Sequence, residues 1–272
     1  MTRFLSILII CISFIGCKSV TQNTSINPVP KHDMIRIESS HVNETRIINV
    51  WTPENYETGN QDYPVLYMPD GGIKEDFPHL ANTIAKLIKE NRIDPIILVG
   101  IENTDRRRDL SGYSEVEADS KYCPLDDGAN NFRAFITQEL IPHINSNYHT
   151  SSKKGIIGES LAGLFIMETC LLTPNTFDFY IAIDPSLWWN NHYLEQHASS
   201  YLEHFPNTKK KLWFAGSDAE DIYKYTRGLE ETLTTNAPKT LTWKYSDEPK
   251  EQHSTIFRAT KEKALIWTLN DK

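Results

Sequence analysis

The stretch Gly158-Glu159-Ser160-Leu161-Ala162-Gly163 (GESLAG) lies between Ile156-Ile157 and the run Leu164-Phe165-Ile166-Met167. A strand-like segment gives way to a helix-like one across a serine flanked by small residues. One reading is an ordinary tight turn that contains Ser160. The other is a nucleophile elbow, a sharp and crowded strand-to-helix turn that holds a hydroxyl clear of the backbone and tolerates only small neighbours. Gly158, Ala162 and Gly163 meet that demand, although the usual elbow carries glycine where Ala162 stands. A helix beginning at Leu161 aims its N–H groups and the positive end of its dipole at the place where an oxyanion would develop.

The pattern around this stretch alternates. Strands are expected at Met34–Ser39, Thr45–Trp51, Tyr63–Met68, Pro95–Ile101, Gly155–Gly158, Phe177–Ile183, Lys211–Ala215 and Leu241–Tyr245. Helices are expected at about His79–Asn91, Asn130–Ile144, Leu161–Leu172, Glu220–Thr234 and Lys261–Leu269. Phe132, Ile136, Leu140 and Ile144 recur near helical spacing in the second of these. Buried Val/Ile/Leu runs separated by helices imply a mostly parallel sheet of about eight strands covered on both faces. Sites in such sheets form beyond the carboxyl ends of the strands.

The residues after each strand therefore carry the chemistry. A serine needs an adjacent base to attack at neutral pH. His253, in the loop between the last strand and the last helix, is the best placed of nine histidines; His192, His197 and His204 fall in what reads as a solvated polar insertion. A carboxylate to orient the imidazole is expected after Lys211–Ala215, with Asp218 first and Glu220 or Asp221 as alternatives that also suit a helix N-terminus. Oxyanion donors are expected at the N–H of Leu161 and, in the Pro69-Asp70-Gly71-Gly72 turn, at that of Gly72. Arg106 and Arg108 follow another strand, where guanidinium forks suit anionic oxygens or a structural ion pair. Trp188 either walls a pocket or packs beneath a loop.

Composition narrows the class. The chain has 272 residues, 39% hydrophobic, and a formal charge of −8, which disfavours a nucleic-acid partner. No Cys/His spacing reads as a metal site, and the chemistry above requires no metal or organic cofactor. Arg3 and the apolar run Phe4–Ile15 read as a signal peptide over residues 1–16, ending before Cys17 in the manner of a bacterial lipoprotein, with an ordinary secretory signal as the alternative. The expectation is a lipid on Cys17, a flexible tether over 17–30, an enzyme domain over 31–272, and a place in the cell envelope, anchored to a membrane. Cys123 and Cys170 remain, with pairing left open.

Taken in order, YPVLYMPDGG, VGIENTDRRRDLS, GESLAGLF, AIDPSLWWNN and EQHSTI resemble the putative-esterase family of α/β-hydrolases, from about Met34 to the C-terminus. The resemblance implies an α/β-hydrolase fold and a serine esterase with Ser160 as nucleophile, His253 as base and a carboxylate near Asp218. It also implies Gly72 as an oxyanion donor, and the Asp105–Asp109 run looks like a segment of the siderophore-esterase branch. The substrate expected is a small-molecule ester of siderophore, acyl or aryl type. The alternatives are a ligand-binding lipoprotein that has lost the chemistry and an acyltransferase.

Overall fold

The computed structural model describes residues 28–270, so Cys17, the signal segment and most of the tether lie outside the described residues. Eight strands form one sheet in the order β1-β2-β4-β3-β5-β6-β7-β8. They are β1 (Asp33–Ser39), β2 (Glu44–Trp51), β3 (Tyr63–Pro69), β4 (Ile97–Ile101), β5 (Thr150–Glu159), β6 (Phe179–Ile183), β7 (Lys210–Gly216) and β8 (Leu241–Asp247). β1–β2 and β2–β4 pair antiparallel and every other neighbour pair is parallel. ILVGI in β4 and FYIAI in β6 are buried at every position, as strands covered on both faces must be. Only the apolar half of β5 is visible in the sequence. Its first half, TSSKK, is half-buried or exposed, yet it continues the pairing with β3 beyond a register shift between Tyr63 and Val65.

The helices are α1 (Phe77–Lys89), α2 (Arg106–Leu110), α3 (Gly128–Ala134), α4 (Ile141–Asn147), α5 (Leu161–Leu172), α6 (Trp189–Glu203), α7 (Glu220–Asn236) and α8 (Ile256–Leu269). α1 and α8 cover one face, where Phe77, Leu80, Ile84, Ile256 and Leu265 cluster with Leu66, Leu98 and Ile181. α3 to α7 cover the other, with Phe132, Phe165 and Leu229 packed on Val65, Ile156 and Phe214. α3 and α4 are joined by a π-helical turn over Phe135–Leu140. Residues spaced four apart drift by about 40° per step on a 3.6-residue helix. The wider turn absorbs that drift and keeps Phe132, Ile136, Leu140 and Ile144 all buried.

The expected polar insertion is instead α6, which buries Trp189, Leu194, Ala198 and Leu202 against its neighbours. Its histidines do not stand free: His192 Nδ1 donates to the Glu195 carboxylate (2.9 Å), and the ring stacks on Tyr225 with centroids 4.7 Å apart. Cys123 and Cys170 are both free and buried.

Beneath α2 lies an ion cluster. Arg46 of β2 is fully buried and donates through Nη1 to Asp109 Oδ2, Glu44 Oε1 and Thr104 Oγ1, each at 2.6 Å. Its guanidinium carbon stands 5.0 Å from the Phe132 ring centre. Arg108, expected at the site, belongs here: its Nη2 donates to Glu44 (2.7 Å) and Asp109 (2.6 Å). Both carboxylates are already committed to Arg46, so Arg108 serves to balance charge in the cluster. Arg46→Ala should lower stability by about 3–5 kcal/mol, since it leaves the buried Asp109 Oδ2 without a donor and empties a fully buried site. Arg108→Ala, at the half-exposed rim, should cost at most about 1 kcal/mol. Urea midpoints of the two variants check the contrast.

Candidate active site

Three strands of the parallel sheet end in residues with left-handed backbone: Asp70 after β3 (φ 59°), Ser160 after β5 (φ 60°) and Asp184 after β6 (φ 48°). Such a residue bends the chain sharply, so each side chain leaves its strand where the next element begins. At Ser160 the bend is φ 60°, ψ −119° and α5 starts at the next residue. A Cβ on Gly158 would lie 2.7 Å from the Cβ of Ala162, so those two positions cannot both carry side chains of ordinary size. Glycine at 158 makes room for alanine at 162, which explains the departure from the usual elbow. The backbone clamps the turn: Ser160 N–H donates to Ile183 O (2.9 Å) and Ser186 N–H to Ser160 O (3.1 Å).

His253 reaches the serine. Its Nε2 lies 3.1 Å from Ser160 Oγ and its Nδ1 lies 2.5 Å from Asp184 Oδ2. The carboxylate that faces His253 is therefore Asp184, not Asp218. Asp184 is fully buried and also accepts from Ser217 N–H (2.6 Å) and Ser217 Oγ (2.8 Å). Asp218, Glu220 and Asp221 are exposed. Asp218 acts through its backbone, with its N–H donating to Glu251 O (2.9 Å), two residues before His253. β7 thus supplies the clamp on Asp184 and on the histidine loop. The physical reason is strand adjacency: β6 is hydrogen-bonded to β5, whereas β7 is one strand further away, and each strand adds about 4.8 Å. The signal was present, because Asp184-Pro185 stands directly after the apolar run FYIAI.

The other expected residues divide. Leu161 is the first residue of α5, so its N–H is among those with no partner inside the helix. Gly72 N–H donates to the Glu75 carboxylate (2.6 Å) and is occupied in this conformation. The turn itself is pressed on β4, where a Cβ on Gly71 would fall 2.3 Å from Gly100 Cα. Arg106 grips Asp70 with two bonds, Nε to Oδ1 (2.6 Å) and Nη2 to Oδ2 (2.9 Å), and approaches Glu159 O (3.4 Å). Trp188 is half-buried, edge-on to Tyr122 with centroids 5.1 Å apart and next to Trp189.

Electrostatics follow from burial and partners. The hydrogen bond that His253 donates to Asp184 holds its imidazole above the ordinary value against the opposing effect of burial. Burial pushes the Glu159 carboxyl up to about 7, although His253 pulls it down, and its Oε1 is buried without a partner. Among the described residues no group of His, Cys, Asp and Glu is arranged to hold a metal ion.

Residues 39–264 match the family described as Putative esterase. The chain is similar to the ferri-bacillibactin esterase BesA of Bacillus subtilis, 25% identical over 233 residues that cover 76% of this chain and 79% of the relative. It is also similar to the uncharacterized protein YbbA of the same organism, 25% identical over 183 residues, covering 66% and 71%. Among solved structures, an IroE-like serine hydrolase from Shewanella oneidensis superposes with a TM-score of 0.79 at 27% identity, covering 88% of this chain and 80% of that one. The fold is that of an α/β-hydrolase and the molecule is a carboxylic ester hydrolase. The chain belongs to the putative esterase family.

His253 gains a partner on folding, so its protonated form is favoured. It adds stability that is complete below the ordinary histidine value and lost as pH rises through the raised one. Histidine resonances followed by NMR titration should show His253 titrating above 6.5. Asp184→Asn should bring it down and Asp218→Asn should leave it in place.

Proposed function

We propose that the protein hydrolyses carboxylic esters through an acyl-enzyme on Ser160. The observation that carries this reading is the line Ser160 Oγ–His253 Nε2 and His253 Nδ1–Asp184 Oδ2, at 3.1 and 2.5 Å. Ser160 Oγ attacks the ester carbonyl as its proton passes to His253 Nε2. The imidazolium so formed is stabilised by Asp184, which keeps Nδ1–H as donor. The carbonyl oxygen takes up the negative charge beside the Leu161 N–H at the head of α5. Gly72 N–H joins as second donor once the Glu75 carboxylate turns aside. Collapse breaks the C–O bond, and the leaving alcohol takes the proton from His253. Water, deprotonated by the same nitrogen, then releases the acid and restores Ser160.

The ester is placed in the siderophore class or among short acyl and aryl esters. The likeness to the ferri-bacillibactin esterase supports the first. The Trp188–Tyr122 pair, two residues beyond the Ser186 that clamps the elbow, supports an aromatic portion. Arg106 lends little to an anionic arm while Asp70 occupies both of its donors. The apolar run before Cys17 supports a lipid anchor in the cell envelope.

A short-chain nitrophenyl ester assay with folded Ser160→Ala should show kcat lower by about 10⁴-fold or more, with His253→Ala similar and the double variant no worse. Asp184→Asn should lose about 10⁴-fold at neutral pH and Asp218→Asn almost nothing. Intact turnover in Ser160→Ala, together with no labelling of Ser160 by a fluorophosphonate, would remove the acyl-enzyme. For the anchor, Cys17→Ser should move the full-length protein from the membrane fraction to the soluble fraction and abolish palmitate incorporation.

A further inference from the structure

A second cavity lies along the outer side of α5, between α3, α6 and the loop 112–115, and encloses about 260 Å³. Its lining includes Leu164, Glu168 and Leu172, one face of α5 running away from the elbow, and none of Ser160, His253 or Asp184. An apolar cavity of about 150 Å³ accepts a benzene ring, so this one has room for a single substituted ring.

The polar end is built by Arg133. Its Nε donates to Thr169 Oγ1 (2.9 Å) and its guanidinium carbon stands 5.0 Å from the Phe165 ring centre, so the side chain is held flat and still. Arg133 is 9% exposed, yet its Nη2 makes no hydrogen bond; the nearest carboxylate oxygen, Glu168 Oε2, is 3.6 Å away. A buried guanidinium donor without an acceptor is costly, and native proteins leave few of them. The remaining walls are Trp189, Tyr193, Tyr201 and Tyr113. Tyr113, Leu172 and Tyr193 are 60%, 45% and 46% exposed, three of the large apolar side chains that the described surface leaves open, and all three line this one cavity. The segment over it is strained, with Asn190, Asn191 and His192 all left-handed, and is pinned by Trp189 Nε1 donating to Gly112 O (3.0 Å).

We infer that this cavity is a second ligand site, which takes a small planar aromatic carboxylate with its carboxylate on Arg133 Nη2 and its ring among Tyr193, Trp189 and Leu164. A carboxylate oxygen suits the unpaired Nη2 donor, and an aromatic body matches the walls. The site is independent of the hydrolytic reading: its lining includes none of Ser160, His253 and Asp184, and only the backbone N–H of Leu164 meets Ser160 O (2.9 Å), in the first turn of α5. Burial pushes the Glu168 carboxyl up to about 7, with Arg133 pulling it down and Asp127 adding to the rise. Glu115 and Tyr201 also face the space, the former adding negative charge. A protonated Glu168 can share the guanidinium with a bound carboxylate, whereas a charged one competes with it. Binding therefore weakens as pH rises through about 7.

Calorimetric titration of the whole protein with benzoate tests this, with benzamide as the neutral isostere. Benzoate should bind the wild type and Ser160→Ala equally, and benzamide about ten- to a hundredfold more weakly, the cost of one charge-assisted contact. Arg133→Met should lose binding to the same extent. Should that variant fail to fold, Leu172→Arg at the open rim should abolish binding by filling the mouth, while ester hydrolysis continues. Glu168→Gln should bind benzoate with no pH dependence between 6 and 8. No heat with benzoate at pH 6, equal binding of benzamide, or binding lost in Ser160→Ala but kept in Leu172→Arg would each overturn the assignment.

Discussion

The Asp184 carboxylate organises the candidate active site. It is wholly removed from solvent at the end of β6, where an uncompensated charge costs several kcal/mol. Three donors meet it: Ser217 N–H, Ser217 Oγ and the His253 ring. The donors come from two separate obligations. The Ser217 contacts tie β6 to the end of β7, and the His253 contact fixes a loop that follows β8. Loss of any one leaves the others around a poorly satisfied buried group, so the strand ends hold one another in place.

The elbow answers the same constraint from the other side. Ser160 continues the β5–β6 ladder through its N–H to Ile183 O, and the next residue begins α5. Ten of the twelve residues of α5 are buried, so the helix cannot slide without opening the core on that face. Gly163 completes the fit, because a Cβ there would come 3.0 Å from Ile183 O and Pro185 Cα, next to Asp184. Serine and acid are therefore positioned by one contact between α5 and the end of β6. A rigid frame of this kind holds reacting groups in place before a substrate arrives.

The polar groups around this frame are unevenly satisfied. Arg46, apart from its buried and unpaired Nε, and Arg108 are held by Glu44 and Asp109, and Arg106 by Asp70. Glu159 Oε1 and Arg133 Nη2 are buried without hydrogen bonds. The first group maintains the scaffold. The second lies beside the elbow in one case and at a separate cavity in the other, where an incoming ligand supplies what the fold withholds.

Much of this was legible in the sequence. The alternation of apolar strands with helices, the small residues around Ser160 and the late histidine depend on local spacing, which the chain carries wherever it folds. That spacing brought Ser160 and His253 into one reading before any geometry was known. Local spacing does not record which strands become neighbours. Asp218 and Asp184 each follow an apolar run, and only the sheet order, with β6 beside β5, places Asp184 against the imidazole. The arginine run shows the same limit, since its spacing left an anionic ligand and a structural ion pair both open until the ends of β2 and β3 brought Glu44 and Asp70 to it. α6 was hidden because its histidines and asparagines mask a four-residue apolar stripe whose burial depends on partners distant in the chain. Thus the sequence by itself determined most of the elements and brought Ser160 and His253 together, because those depend on near neighbours. Tertiary structure alone decided the acid, the fate of the arginines and the second cavity, because each is a contact between segments whose adjacency the sheet creates.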